Sequence, residues 1–361
     1  MQKLTGHERI SRFLKRQPHD HIGAYESFWS ETHTKWTEEG HTFLHENLDD
    51  HFNLDLSQIW CFNNTVDLDF IEELVEEDET TRLTKNGNGA ILRWYKDKSG
   101  PPENVDYTIK GREQWNEIRE KLLGVDTRRI NYEQYRAVKN DAKAKDRFFC
   151  WSGVNVFELM HPVCGHEYML MGMALDPDWI RDMVQVFTDM IINLMDDLFA
   201  KEGQPDGIYF YEDMGFKERP FMSPAMYREL IFPAHKRTVD YAHARNMPVI
   251  MHSCGFVEPL LSDIVKSGID CLQAIEVKAG MDPLRIQKNY GDVLSLMGGL
   301  DVRVMNANDK TAIDRELEAK IPALMKNNGF CLHSDHSIPP EVEYETYKYF
   351  REKGRELGTY K

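Results

Sequence analysis

The stretch PVIMHSCG (residues 248–255) decides how the chain is read. An apolar-leaning run, Pro248 to Met251, ends on His252, Ser253, Cys254 and Gly255. A short continuous apolar run suits a parallel strand covered on both faces, and the polar residues then fall at its carboxyl end. Seven more runs share the pattern. They are HIGAYES (21–27), SQIWCFN (57–63), RFFCWSG (147–153), DGIYFYED (206–213), DCLQAIE (270–276), VLSLMGGLD (293–301) and GFCLHSD (329–335).

Helical patterns fill the gaps. Asp176-Pro177 opens one that runs to about Ala200, and Ser223-Pro224 opens another to about Arg245, both with an N-cap residue followed by proline. Residues 309–327 and 341–357 also read as amphipathic helices. Eight strand–helix alternations predict an α/β fold, a (β/α)8 TIM barrel forming one domain over residues 1–361. A doubly wound sheet is the alternative. Residues 79–111 break the rhythm with strand-like composition and the turn Asn86-Gly87-Asn88-Gly89, which predicts a β-hairpin insertion. Such a hairpin serves as a lid, a homodimer contact or plain surface.

Composition narrows the function. With 60 acidic against 44 basic residues the net charge is -16, which repels nucleic acid and anionic membranes. No run approaches 18 uncharged apolar residues, and the N-terminal stretch lacks a secretory pattern, so no membrane span and no export are expected. Six widely scattered cysteines, 61, 150, 164, 254, 271 and 331, do not form a disulfide framework and fit a reduced, cytoplasmic setting.

In a barrel the carboxyl ends of the strands carry the chemistry. Those ends supply Glu26, Ser152, Glu212, Asp213, His252, Cys254, Glu276, Asp301 and the cluster His333 to His336. Alternate side chains share a strand face, so His252 and Cys254 can converge on one zinc ion, which takes neutral imidazole and thiolate and needs a third protein ligand. Two residues compete for that place, with His333 a weaker third. Cys331 matches the chemistry, but it lies about two residues into its strand against about four for His252, hence about 7 Å lower. His336, at the strand end, sits at a comparable level and is preferred, with Cys331 retained. Glu212 or Asp213 either completes the shell or takes a proton, and Glu276 and Asp301 are similarly placed.

On these residues the chain resembles the uroporphyrinogen decarboxylase superfamily, whose other branch comprises corrinoid-dependent methyltransferases. The resemblance runs from HERISRFLKRQPHDHI (7–22) through DGIYFYEDMG (206–215), PVIMHSCG, GGLD (298–301) and DHSIPPEVEYETYKYF (335–350). Decarboxylases of the family carry an arginine-rich loop after the first strand. This chain has YESFWSETHTKWTEEG there, with no arginine between Arg16 and Arg82. The methyltransferase branch matches in His252-x-Cys254. At the closing strand the decarboxylases have a glycine–histidine step and the methyltransferases a cysteine; the step here is Asp335-His336, which favours His336.

The resemblance implies a zinc-dependent methyltransferase of anaerobic one-carbon metabolism. It would move a methyl group between a corrinoid, either cobalamin or a partner corrinoid protein, and a small thiol or similar molecule. His252, Cys254 and His336 or Cys331 would hold zinc. Glu212, Asp213 and His336 are the catalytic candidates, and Tyr211, Glu276 and Asp301 those facing the corrinoid, with Phe28, Trp29 and Tyr209 as further walls. A cofactor-free decarboxylase and a non-catalytic corrinoid- or tetrapyrrole-binding protein are the alternatives.

Overall fold

The computed structural model describes residues 3–97 and 100–360. Each of the eight apolar runs becomes a strand of one parallel sheet. These are β1 (Gly23–Ala24), β2 (Leu56–Trp60), β7 (Phe148–Val154), β8 (Gly207–Tyr211), β9 (Val249–Ser253), β10 (Cys271–Ala274), β11 (Ser295–Gly298) and β12 (Phe330–Leu332), numbered to leave room for an insertion between β2 and β7. Their order is β1-β12-β11-β10-β9-β8-β7-β2, so chain neighbours are sheet neighbours except where β1 meets β12. The seam between β1 and β2 closes through Asp55, whose amide donates to the Ala24 carbonyl (2.9 Å) while its carboxylate accepts the Ala24 amide (2.8 Å). The sheet is thus curled into a TIM-barrel-like cylinder. Its strands read as unbroken apolar runs because helices cover one face and barrel packing the other.

The helices begin where capping chemistry places them. Asp176 accepts the Trp179 amide ahead of Pro177–Glu202, and Ser223 accepts the Met226 amide ahead of Pro224. At the amino ends of the strands the Gly6–Leu14 helix starts with a Thr5/Glu8 capping box. Its buried Arg9 bridges Asp20 and Asp55 at 2.9 and 2.6 Å, tying that helix to the seam. Among the described residues no helix is long and apolar enough to cross a membrane.

The insertion is larger than the hairpin expected near 79–111. It is a four-stranded antiparallel sheet of β3 (Glu73–Glu77), β4 (Thr81–Lys85), β5 (Ala90–Tyr95) and β6 (Glu103–Tyr107). The Asn86–Gly89 turn does join β4 to β5. β3 escaped notice because every residue in it is exposed and the surrounding run, Glu72 to Glu79, is acidic without alternation. The sheet is seated by Tyr107. Its ring fills the space beside Gly165, where a Cβ would come within 2.5 Å, and Gly165 kinks the Val156–Leu175 helix at φ 72°.

Candidate metal centre

β8 and β9 pair so that Tyr211 stands opposite His252. Strand alternation then sends Tyr211 and Asp213 to the barrel interior and Glu212 the other way. The loops after these strands cross at Gly215 and Gly255, where a Cβ on either would lie within 2.5 Å of the other loop's backbone. Gly255 also has φ +75°, so glycine at both places lets Cys254 pass directly over Asp213.

Asp213, His252 and Cys254 therefore converge, with one ligand-type atom from each within 4.8 Å of the others. His252 Nε2 lies 3.2 Å from Asp213 Oδ1 and 3.2 Å from Cys254 Sγ. Asp213 also accepts the Cys254 amide at 2.7 Å, which fixes the carboxylate against the turn. Ligands about 2.1–2.3 Å from a tetrahedral zinc stand about 3.4–3.8 Å apart, so small shifts bring these donors around one ion. Imidazole, thiolate and carboxylate form a set that zinc accepts, and three protein donors leave a fourth position for a substrate atom. The group is half-buried rather than sealed.

The electrostatics agree with a cation site. Burial opposes charge on His252, but Cys254 and Asp213 outweigh it and hold the imidazole well above its ordinary range. Burial likewise raises Asp213, yet hydrogen bonding and charge from His252 hold its carboxyl below the usual range. Burial pushes the Cys254 thiol up, with His252 acting against it. A protonated His252 thus balances the Asp213 carboxylate, and a metal ion held here would take the place of that proton.

The neighbouring side chains orient the group. Tyr211 lays its ring 4.6 Å from that of His252, and Trp60, partly exposed, covers Tyr211 at 4.6 Å. Gln58 Nε2 donates to the Tyr211 hydroxyl at 3.0 Å, and Ser152 donates to Gln58 Oε1 at 2.6 Å. On the other side Gln273 Oε1 contacts His252 Nδ1, and Gln273 Nε2 stands 3.1 Å from His333 Nε2.

Other polar strand ends lie elsewhere. Glu212 is fully buried outside the barrel interior, accepting the amides of Phe157 (2.8 Å) and Glu158 (3.1 Å) and facing His235 Nε2 at 2.6 Å. Glu276 accepts the Gly255 amide at 2.6 Å and pairs with Lys278. Asp301 is bound to Arg303. Cys331 is fully buried on β12, level with Gly23 and Met297, and burial pushes its thiol far up. His336 is stacked on Trp29 with ring centroids 6.0 Å apart, outside the group of three. The structure thus joins Asp213 to His252 and Cys254 and leaves Glu212, Glu276, Asp301, Cys331 and His336 apart from it.

Sequence reading named Glu26 and the His333 to His336 cluster among the polar strand ends but missed Gln58 and Gln273. Gln273 had one signal: a lone amide inside the apolar run DCLQAIE, at the register position of His252. Glu26 accepts from the Ser27 and Ser334 amides and the Ser334 hydroxyl, and burial lifts its carboxyl to about 8. Asp335 accepts the Val277 and Val302 amides, both at 2.8 Å, and burial lifts it to about 6. Burial holds His333 down at about 4.

A barrel of parallel strands with polar chemistry at their carboxyl ends is the architecture of an enzyme. The model of the uroporphyrinogen decarboxylase (URO-D) family matches residues 151–357, and the chain belongs to that family. In fold it is similar to a methyltransferase from Methanosarcina mazei, with a TM-score of 0.66 and 15% identity over 98% of this chain and 99% of that one. A much weaker likeness is to Dispersin B, at a TM-score of 0.35 and 11% identity over 63% and 76% of the two chains. No curated protein sequence matches the chain.

Proposed function

We propose that the chain is a zinc-dependent methyltransferase that moves a methyl group between a corrinoid and a small thiol. The observation that carries the reading is the convergence of Asp213, His252 and Cys254 at the carboxyl ends of β8 and β9. A fold shared with a Methanosarcina methyltransferase is consistent with it. Zinc held there supplies Lewis acidity, which lowers the pKa of a ligating thiol into the neutral range.

The side chains have separate tasks. Cys254 and His252 would hold the ion from one strand end, and Asp213 would close the set from the neighbouring one. Tyr211 and Trp60 wall the side of His252 and exclude water from it. In the transfer the thiolate sulfur bonds to the methyl carbon. The electron pair of the broken methyl–cobalt bond stays on the substrate corrinoid, and the thiol proton leaves to solvent. A polycarboxylate porphyrinogen fits poorly, since the stretch after β1 holds no arginine between Arg16 and Arg82.

The test is zinc content after reconstitution, combined with demethylation of methylcobalamin across a panel of thiols followed by absorbance. One zinc per chain is expected, lost in His252→Ala and Cys254→Ala together with turnover. Wild-type protein that takes up no stoichiometric zinc would sink the reading, and turnover of uroporphyrinogen by metal-free protein would replace it with a decarboxylase.

A further inference from the structure

We infer that Gln273 and His333 are positioning residues that decide which ring nitrogen of His252 is free to hold a metal. The inference rests on the metal-centre reading, and its logic starts at the far end of a buried chain of contacts. His333 is fully buried just beyond β12. Its Nδ1 faces the Ser334 carbonyl and, at 3.4 Å, Glu26 Oε1. A backbone carbonyl can only accept a hydrogen bond, so Nδ1 carries the hydrogen.

Burial keeps this imidazole neutral, which leaves Nε2 as a bare lone pair. Nε2 lies 3.1 Å from the Gln273 amide, so the amide must turn its NH2 group toward it. The opposite flip would set two acceptors against each other. Gln273 Oε1 then points at His252 Nδ1 and can only accept from it. Nδ1 of His252 therefore keeps its hydrogen. The nitrogen left for an ion is Nε2, the one that stands 3.2 Å from both Asp213 Oδ1 and Cys254 Sγ.

The order runs through three strands. In register, Gln273 pairs with His252, so the amide sits beside the imidazole by ladder geometry alone. His333 comes from the end of β12, two strands beyond β10. Without His333 the Gln273 NH2 group loses the acceptor that holds it, and the flip that offers NH2 to His252 Nδ1 opens up. That orientation draws the lone pair to Nδ1 and puts the hydrogen on Nε2, where it blocks the ion. Outer partners of metal-binding imidazoles act in this way generally.

The test uses a substitution that cannot flip. His333→Leu should weaken zinc binding at least about tenfold, read by competition with a chromogenic chelator, with folding checked by circular dichroism. Adding Gln273→Glu to His333→Leu should restore affinity to within about threefold of wild type, because a carboxylate only accepts. A merely structural role for His333 predicts no such rescue. Long-range nitrogen–proton spectra of the histidines should show neutral His333 with its hydrogen on Nδ1, and a retained Nδ1 hydrogen on His252 before and after zinc is added.

Unchanged affinity in His333→Leu, failure of the rescue, or a hydrogen on His333 Nε2 would each overturn the inference. If wild-type protein binds no metal, it is the metal reading that fails, and the His333 spectrum still decides the hydrogen order.

Discussion

The ends of β9 and β12 look alike in sequence and differ in what their side chains have left to offer. Both carry histidine close to cysteine or carboxylate, HSC at 252–254 and CLHSDH at 331–336. At β12 the polar groups are used internally. Asp335 holds two loop amides, Ser334 is tied to Glu26, Cys331 is sealed in the barrel and His336 lies on Trp29. At β9 the imidazole Nε2, the thiol and the Asp213 carboxylate face one another half-buried, and only the Cys254 amide draws on one of them. A polar strand end becomes a candidate site only when its donor atoms are not consumed in stapling loops.

The largest expected effect comes from the stapling side. Glu26 titrates near 8 in the folded chain against an ordinary 4.5, so the folded state holds a proton there that the unfolded state has released. Stability should fall as pH rises from 4.5 toward 8, by about 5 kcal/mol in all for a gap of that size. Denaturant titrations of wild type and Glu26→Gln across that range check it: the variant's curve should lack this slope. A wild-type slope of the opposite sign would break the contrast.

Glu212 comes next. Glu212→Ala removes the acceptor from two buried amides and the partner from His235, and should cost about 3–5 kcal/mol of stability by thermal or chemical denaturation. Zinc stoichiometry of the folded fraction should be unchanged, because Glu212 faces away from the metal group.

Two cysteines then separate the regions directly. Cys254→Ala should weaken zinc binding at least about a hundredfold, close to 3 kcal/mol. Cys331→Ala should leave zinc affinity alone and cost about 1–2 kcal/mol of stability as a small buried truncation. Reversal of the two results would move the site to β12.

The smallest effect is expected at His336. His336→Ala should change zinc affinity by less than about threefold, since its ring rests on Trp29 outside the group. A larger loss would show the β12 loop swinging in to supply a ligand.

Much of this was legible before folding. The eight apolar runs correspond to the eight barrel strands, and Asp176-Pro177 and Ser223-Pro224 mark helix starts, because burial and capping are local patterns. The insertion was legible at 79–111 from its strand-like composition and Asn-Gly turn, which cover β4 to β6 but not β3. β3 has no buried face and thus no periodicity to read.

The pairing of His252 with Cys254 was likewise visible, since two residues on one strand face need no tertiary information. Which other residue joins them was not. Asp213 and Glu212 are adjacent, and only strand alternation together with the crossing of loops at Gly215 and Gly255 sends one to the group and the other to His235.

A barrel with polar residues at its strand ends could be read from the sequence, because strand period and helix caps act within a few residues. Tertiary structure alone decided which of those ends remain free. That depends on hydrogen bonds between residues far apart in the chain, such as Glu26 with Ser334 across 308 positions, and no local pattern encodes them.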